Sequence, residues 1–263
     1  MKNILARGGI EFLAVLLGIT SSLWIENNRS KREQYKNQIT ILEAVYEDII
    51  QTEKFIEKRR SPAFKADSLW MDYILENWDN LNVDSVAVAL TKFGTNVSFH
   101  NTFLDFREFH PPISSLELIM QDGSLKEIEN IAIRKKINEL VKTDLEFVLK
   151  NVQTEIDMQI DFRNTLVNQN DPKLSQLLSI SQTKLKNRLR DEVESYEDQK
   201  DQLRYFLSKD YVRTYLSLKN RHRYFVMLFI RRFQSTLSEL KLLVEKELNI
   251  AIPDKKDSSG GGT

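Results

Sequence analysis

Apolar residues recur along this chain at spacings of three and four, with charged residues between them, a pattern that predicts helices over nearly its whole length. The first segment differs. Residues 12–25 (FLAVLLGITSSLWI) carry no charge and follow Ile10 and Glu11. Beyond them Ile39, Leu42, Tyr46, Ile49 and Ile56 keep the helical spacing, and no proline occurs before Pro62. One long helix is therefore predicted to leave the apolar run and continue to about Arg60. Pro62, with Ser61 as N-cap, predicts a new helix with Leu69, Trp70, Tyr73 and Ile74 on its apolar face. Asp84 and Gly94 suit the N- and C-cap of a short helix over residues 85–93. Residues 95–112 lack periodicity and are predicted to be irregular. Residues 113–120 predict a short helix ended at Asp122-Gly123. A second long helix is predicted over 125–168, with Ile128, Ile133, Ile137, Leu140, Leu145, Val148, Val152 and Ile156 on one face, broken at Asn170-Asp171-Pro172. Helices resume over 174–189 and run to Leu248, with a break near Lys209-Asp210.

The fold class expected is all-α: an N-terminal transmembrane helix continuing into a stalk, then an elongated bundle of long antiparallel helices. The divisions are a short tail (1–9), an anchor (10–27), a helical stalk (28–60), the bundle (61–252) and a flexible, Gly-rich tail (253–263). Over residues 8–25 the anchor spans roughly 27 Å, just under a hydrocarbon core of about 30 Å. Trp24 suits the interface, and Arg7, Arg29, Lys31 and Arg32 reach headgroup depth as further anchors. The competing reading is a cleaved signal peptide ending near Ser21 or Ser22. Glu11 and the apolar residues beyond those serines, Leu23, Trp24 and Ile25, count against it.

Ala14, Gly18 and Ser22 recur every four residues, so they share one side of the anchor with Glu11. Small residues in such a stripe let two helices approach closely in lipid, and these four residues are the expected oligomer interface. Glu11 either points into that interface or sits at the headgroup boundary, paired with Arg7 one turn earlier.

Composition changes the picture in two ways. The chain has 38 basic and 38 acidic residues, so no net positive field favours nucleic acid as a partner. It has no cysteine, which excludes disulfides and thiolate metal sites. His100 and His110, with Asp105, Arg107 and Glu108, form the one loop constellation that resembles metal ligands or a hydrolytic centre. Its spacing matches no standard site. The serines form no nucleophile elbow, and the glycines form no phosphate cradle. No catalytic, cofactor or metal residues are expected. Residues 219–232 place Tyr224 to Ile230 between basic clusters; Arg221, Arg223, Arg231 and Arg232 offer a surface for anionic lipid or an acidic partner. A helix buried on several sides of a bundle gives the same pattern.

The sequence IEFLAVLLGITSSLWIENNRSKRE, with Glu11, Gly18, Trp24, Glu26, Asn27 and Asn28, resembles the anchor of an uncharacterised single-pass membrane family common in Bacteroidota. A second similarity lies in residues 111–141, at a break over Gln121 to Ser124 followed by Leu125, Ile128, Asn130 and Ile133-Arg134. A weaker one lies in LKLLVEKELN, residues 240–249. The resemblance implies a membrane-anchored helical bundle in the bacterial cytoplasmic membrane and no catalytic residues. Arg29, Lys31, Arg32 and Lys36 outnumber Lys2 and Arg7, which favours a cytoplasmic body; the N-terminal amine narrows the difference and leaves both sides open. The functional expectation is a non-enzymatic scaffold or accessory subunit of a membrane complex, with lipid, its own copies or other membrane proteins as partners. The alternative is a tethered sensor whose bundle binds a small ligand.

Overall fold

In a computed structural model the described residues are 2–82, 85–86, 99–179 and 197–251; for 2–15, 101, 197–199 and 249–251 the description covers the backbone alone. Among the described residues the chain is all-helical, with no strand. The expected 85–93 helix and its caps, most of the 174–189 helix beyond Ser179, and the 253–263 tail lie outside the described residues.

Helix α1, Lys2–Phe55, is 54 residues long, and it carries the apolar run and the predicted stalk without a break. Its far half is not a free stalk. Gln38, Leu42, Val45, Ile49 and Thr52 form a buried stripe at helical spacing, so the bundle begins near Gln38 rather than at 61. The sequence already held this stripe, since a helix with a continuous apolar face needs a partner over its length. Helix α2, Ser61–Glu76, starts where Pro62 predicts, but Ser61 is not its N-cap. A π-helical turn, Ile56–Arg60, joins α1 to α2; Ser61 has helical angles (φ −60°, ψ −45°) and donates its N–H to the Ile56 carbonyl. The wider turn absorbs the donor that Pro62 lacks.

Helix α3, Phe99–Phe103, falls inside the segment expected to be irregular. Helix α4, Ser114–Asp122, ends at Gly123 with φ 82°, the left-handed C-cap that the Asp-Gly pair predicts. The second long helix starts later than periodicity suggests. A 3-10 turn, Ser124–Glu127, and extended Ile128 lead to Asn130, whose side chain caps α5, Ile131–Glu139, by accepting from the N–H groups of Ala132 and Ile133. A second π-helical turn, Leu140–Leu145, connects to α6, Glu146–Gln169, which ends at Asn170 in the left-handed region. Then come α7, Pro172–Ser179; α8, Glu197–Leu207; and α9, Asp210–Ala251, with the expected break before Asp210.

Helix α9 runs antiparallel to the joined α1 and α2. Contacts step along both in register: Tyr46 to Glu245, Glu53 to Lys241, Ser68 to Met227 and Asp72 to Asn220, continued by Asp79 to Arg213 in the 3-10 turn after α2, Trp78–Asn80. Helices α5 and α6 also pack along α9 and close the bundle. Two apolar clusters result. The proximal one joins Leu42, Val45, Ile49 and Ile56 to Ile133, Ile137, Phe233, Leu237 and Val244. The distal one is aromatic: Trp70, Phe99, Phe103, Phe162, Phe206 and Tyr215, with Phe162 stacked on Tyr215 at 3.9 Å. Phe99 and Phe103 lie in the segment expected to be irregular, yet they anchor this cluster because α3 turns both into it.

Candidate functional site

A polar layer separates the two clusters, and the helical register dictates where it falls. On α6 the inward stripe reads Val148, Val152, Glu155, Gln159, Phe162, Leu166; on α9 it reads Val212, Tyr215, Lys219, Arg223, Val226, Ile230. Polar residues therefore occupy core positions at matching heights on two helices. Asp67 on α2 and Arg107, in the loop after α3, complete the layer.

Its hydrogen bonds are dense. Arg223 forks onto Glu155, with Nε 2.7 Å from Oε2 and Nη2 bonded to Oε1, and its Nη1 lies 3.5 Å from Asp67. Its guanidinium also covers the Phe64 ring at 4.3 Å. Arg107 forks onto Asp67, with Nη2 2.9 Å from Oδ1 and Nε bonded to Oδ2. Lys219 Nζ donates to the Thr102 carbonyl at 2.5 Å and to Gln159 Oε1 at 2.9 Å, and lies 3.8 Å from Glu155. Gln159 donates to the Asp105 carbonyl, and the Tyr215 hydroxyl to the Thr102 carbonyl at 2.8 Å.

Burial and pairing shift these groups in opposite directions. Loss of water pushes the Lys219 ammonium down to about 7; Glu155 opposes this and Arg223 reinforces it. Burial would raise the Glu155 carboxyl, but Arg223 and Lys219 outweigh it and hold the group below its ordinary value. For Arg223, desolvation acts downward while Glu155 and Asp67 carry it above its ordinary value. Burial pushes the Tyr215 phenol up.

The residues singled out from sequence are scattered relative to this layer. Arg223, expected on an anionic-lipid or partner surface, is fully buried, because its position four residues after Lys219 keeps it on the inward stripe. Arg221, Arg231 and Arg232 are exposed, and Arg232 pairs with buried Asp144 at 2.8 Å. The apolar run at 224–230 is buried on one side only: Val226 and Ile230 face the core, while Tyr224, Phe225 and Leu228 are exposed. The loop constellation does not converge. His100 is buried, and its Nδ1 finds no hydrogen-bond partner among the described residues, whereas His110 is exposed and lies 3.2 Å from Glu108. Asp105 offers its backbone carbonyl to Gln159, and Arg107 belongs to the buried layer. Among the described residues no group of three or more His, Cys, Asp or Glu could hold a metal ion.

In the anchor region, Gly18, Ser22, Trp24, Lys31 and Arg32 are exposed, and Arg29 pairs with Glu33 at 3.2 Å. The side chains of Arg7, Glu11 and Ala14 lie outside the described residues. Among the described residues no helix is long and apolar enough to cross a membrane. The side chains of residues 12–15, the first four of the apolar run, lie outside the described residues.

Asp67, Glu155, Gln159 and Lys219 escaped the sequence reading. The signal was available: a charge at the position where an otherwise apolar stripe expects Leu or Ile. Compared with family models, curated proteins and solved structures, the chain matches none.

Proposed function

We propose that this chain is a single-pass, membrane-anchored helical scaffold or accessory subunit of a membrane complex, of the kind its N-terminal resemblance implies. One observation carries the reading. Leu16, Leu17, Ile19, Leu23, Trp24 and Ile25 are 45–67% exposed on a helix that continues unbroken into the bundle core. Six large apolar side chains on consecutive turns cannot all face water cheaply; each gains roughly 1.5–3 kcal/mol on burial. Lipid covers all sides of such a rod at once, which no groove of its own bundle does.

The reading has a geometric consequence. The exposed arginines Arg221 and Arg231 flank Met227, which meets Ser68. That level lies roughly 60 Å along the rod from Ile25 at 1.5 Å per residue. An upright rod holds these arginines far from the bilayer of its own anchor, so their partners are proteins rather than lipid headgroups. Sedimentation from cells expressing the full chain tests the anchor. The protein should pellet with membranes, resist carbonate and high salt, dissolve in detergent, and keep its N-terminal residues. Recovery in the supernatant, or a mature chain beginning after Ser22, would defeat it.

A further inference from the structure

Two cavities, of about 480 and 590 Å³, lie end to end along the seam where α2 meets α9, and Met227 lines both. Their walls are largely apolar: Phe64 and Ile230 in one, Leu75 and Tyr224 in the other, with Met227 between them. Together they form one groove that runs from Ser217 to Gln234 on α9, roughly 25 Å at 1.5 Å per residue. Tyr224 is 61% exposed, and Phe225 and Leu228 are exposed beside it. Side chains of this size gain from burial, so a run of them left open along a seam marks a surface that another molecule covers.

The charge on the rim selects the occupant. Lys65 on α2 and Arg221 and Arg231 on α9 line the groove, all three are exposed, and among the described residues none has a carboxylate partner. Of the two acids that line it, Asp72 is already held by Asn220, and Glu57 stands apart on the π-helical turn before α2. A second copy of the chain fits this rim poorly. Parallel pairing sets each arginine against its own counterpart, and antiparallel pairing centred on Met227 sets Arg221 against Arg231. Either way like charges meet, which disfavours association. A flat bilayer surface cannot fill a concave seam. A helix flanked by acids meets all three cations and fills the seam as well.

We propose that the groove docks one amphipathic helix of a partner protein, apolar along the stripe that enters the seam and acidic on its flanks. A helix lying in such a groove anchors itself by apolar side chains one turn apart, and this groove accepts about five turns. The apolar stripe covers Met227 and Tyr224, while the acids reach Lys65, Arg221 and Arg231. The proposal rests on the reading that these arginines serve a protein partner. It does not rest on the anchor: the groove is the same whether or not residues 10–27 cross a bilayer.

The test uses the full chain in lipid nanodiscs, which keep detergent out of the groove. The probe is a labelled synthetic helix of roughly 18 residues, with leucine on one stripe and glutamate on both flanks. Fluorescence anisotropy should show saturable binding that weakens as salt is added. Tyr224→Glu, at an exposed site, should abolish it. Arg221→Glu with Arg231→Glu should weaken it about tenfold and should create a preference for the same helix carrying lysine in place of glutamate, a swap that loss of folding cannot produce. No binding of the acidic helix, equal affinity of the wild type for the acidic and lysine helices, or indifference to Tyr224→Glu overturns the proposal. A dimer in sedimentation that Tyr224→Glu dissociates gives the groove to a second copy. Capture of phosphatidylglycerol vesicles that the double reversal abolishes gives it to lipid. Either result also overturns the proposal. A chain that does not enter the discs defeats the anchor alone, and the same binding measurement is then made in plain buffer.

Discussion

Arg223 and Glu155 meet in a forked ion pair that closes the gap between α9 and α6, with the guanidinium fully buried and the carboxylate nearly so. Such a pair is costly to break from one side, because the remaining charge has no water to turn to. Glu155→Ala should lower unfolding stability by about 3–5 kcal/mol. Replacing both partners with apolar residues, Glu155→Leu with Arg223→Met, should recover most of that loss. Denaturant unfolding of the wild type, both single variants and the double variant closes the cycle. Additive losses in the double variant would show that the pair is not coupled.

The same pair sets the response to acid. Glu155 titrates below its ordinary value, since Arg223 and Lys219 outweigh the burial that acts upward. The unfolded chain then binds the proton more readily than the folded one. The stabilisation is complete above the unfolded carboxyl value of about 4.3 and is lost as pH falls below it. Glu155→Gln should therefore shed less stability than the wild type between about pH 5 and 3. Parallel melting curves for the two proteins across that range measure the difference.

Much of the architecture was legible because helical periodicity is a strong local signal. Ile133, Ile137, Val148 and Val152 mark the α5–α6 face, and Gly123 and Asn170 mark two ends through left-handed geometry. Boundaries failed where tertiary context overrode the local rule. Pro62 reads as a helix start, and α2 does begin there with Pro62 in its first turn, but a π-helical turn rather than a Ser61 N-cap leads into it. The apolar face of residues 38–56 called for a partner and argued against a free stalk; only the identity of that partner, α9, was hidden in the sequence. The polar layer stayed hidden for a different reason. Lys219 and Arg223 sit amid basic residues, so composition left the stretch open between a charged surface and a helix buried on several sides. Only their phase relative to Val212, Val226 and Ile230 separates them from their exposed neighbours Arg221 and Arg231.

Asn130 combines two jobs at the start of α5. Its side-chain oxygen accepts from the N–H of Ala132 at 3.0 Å, and its amide donates to Glu247 near the end of α9 at 2.9 Å. Asn130→Ala removes both and should cost about 1 kcal/mol or slightly more. Asn130→Ser keeps the cap but does not reach Glu247, so it should fall between the two. If serine proves as harmful as alanine, the contact with Glu247 rather than the cap is the stabilising part. Unfolding midpoints of the three proteins decide this.

Gly18 offers a clean test of self-association in the proposed anchor. A Cβ built there meets nothing within 4 Å in the single chain, and the residue lies in the interior of α1. Glycine is among the weakest helix formers, by about 1 kcal/mol relative to alanine, so Gly18→Ala and Gly18→Ile do not harm the isolated helix. Any effect must come from another molecule. If Ala14, Gly18 and Ser22 form the close-packed face between helices, Gly18→Ile should weaken crosslinked oligomers in detergent while the melting curve of the bundle stays put. Gly18→Ala, which adds one methyl, should fall between them. Leu17→Ile changes a neighbouring side chain without touching the stripe and serves as the control. Crosslinking that is equal in all four proteins would remove the stripe as an interface while leaving the anchor itself intact.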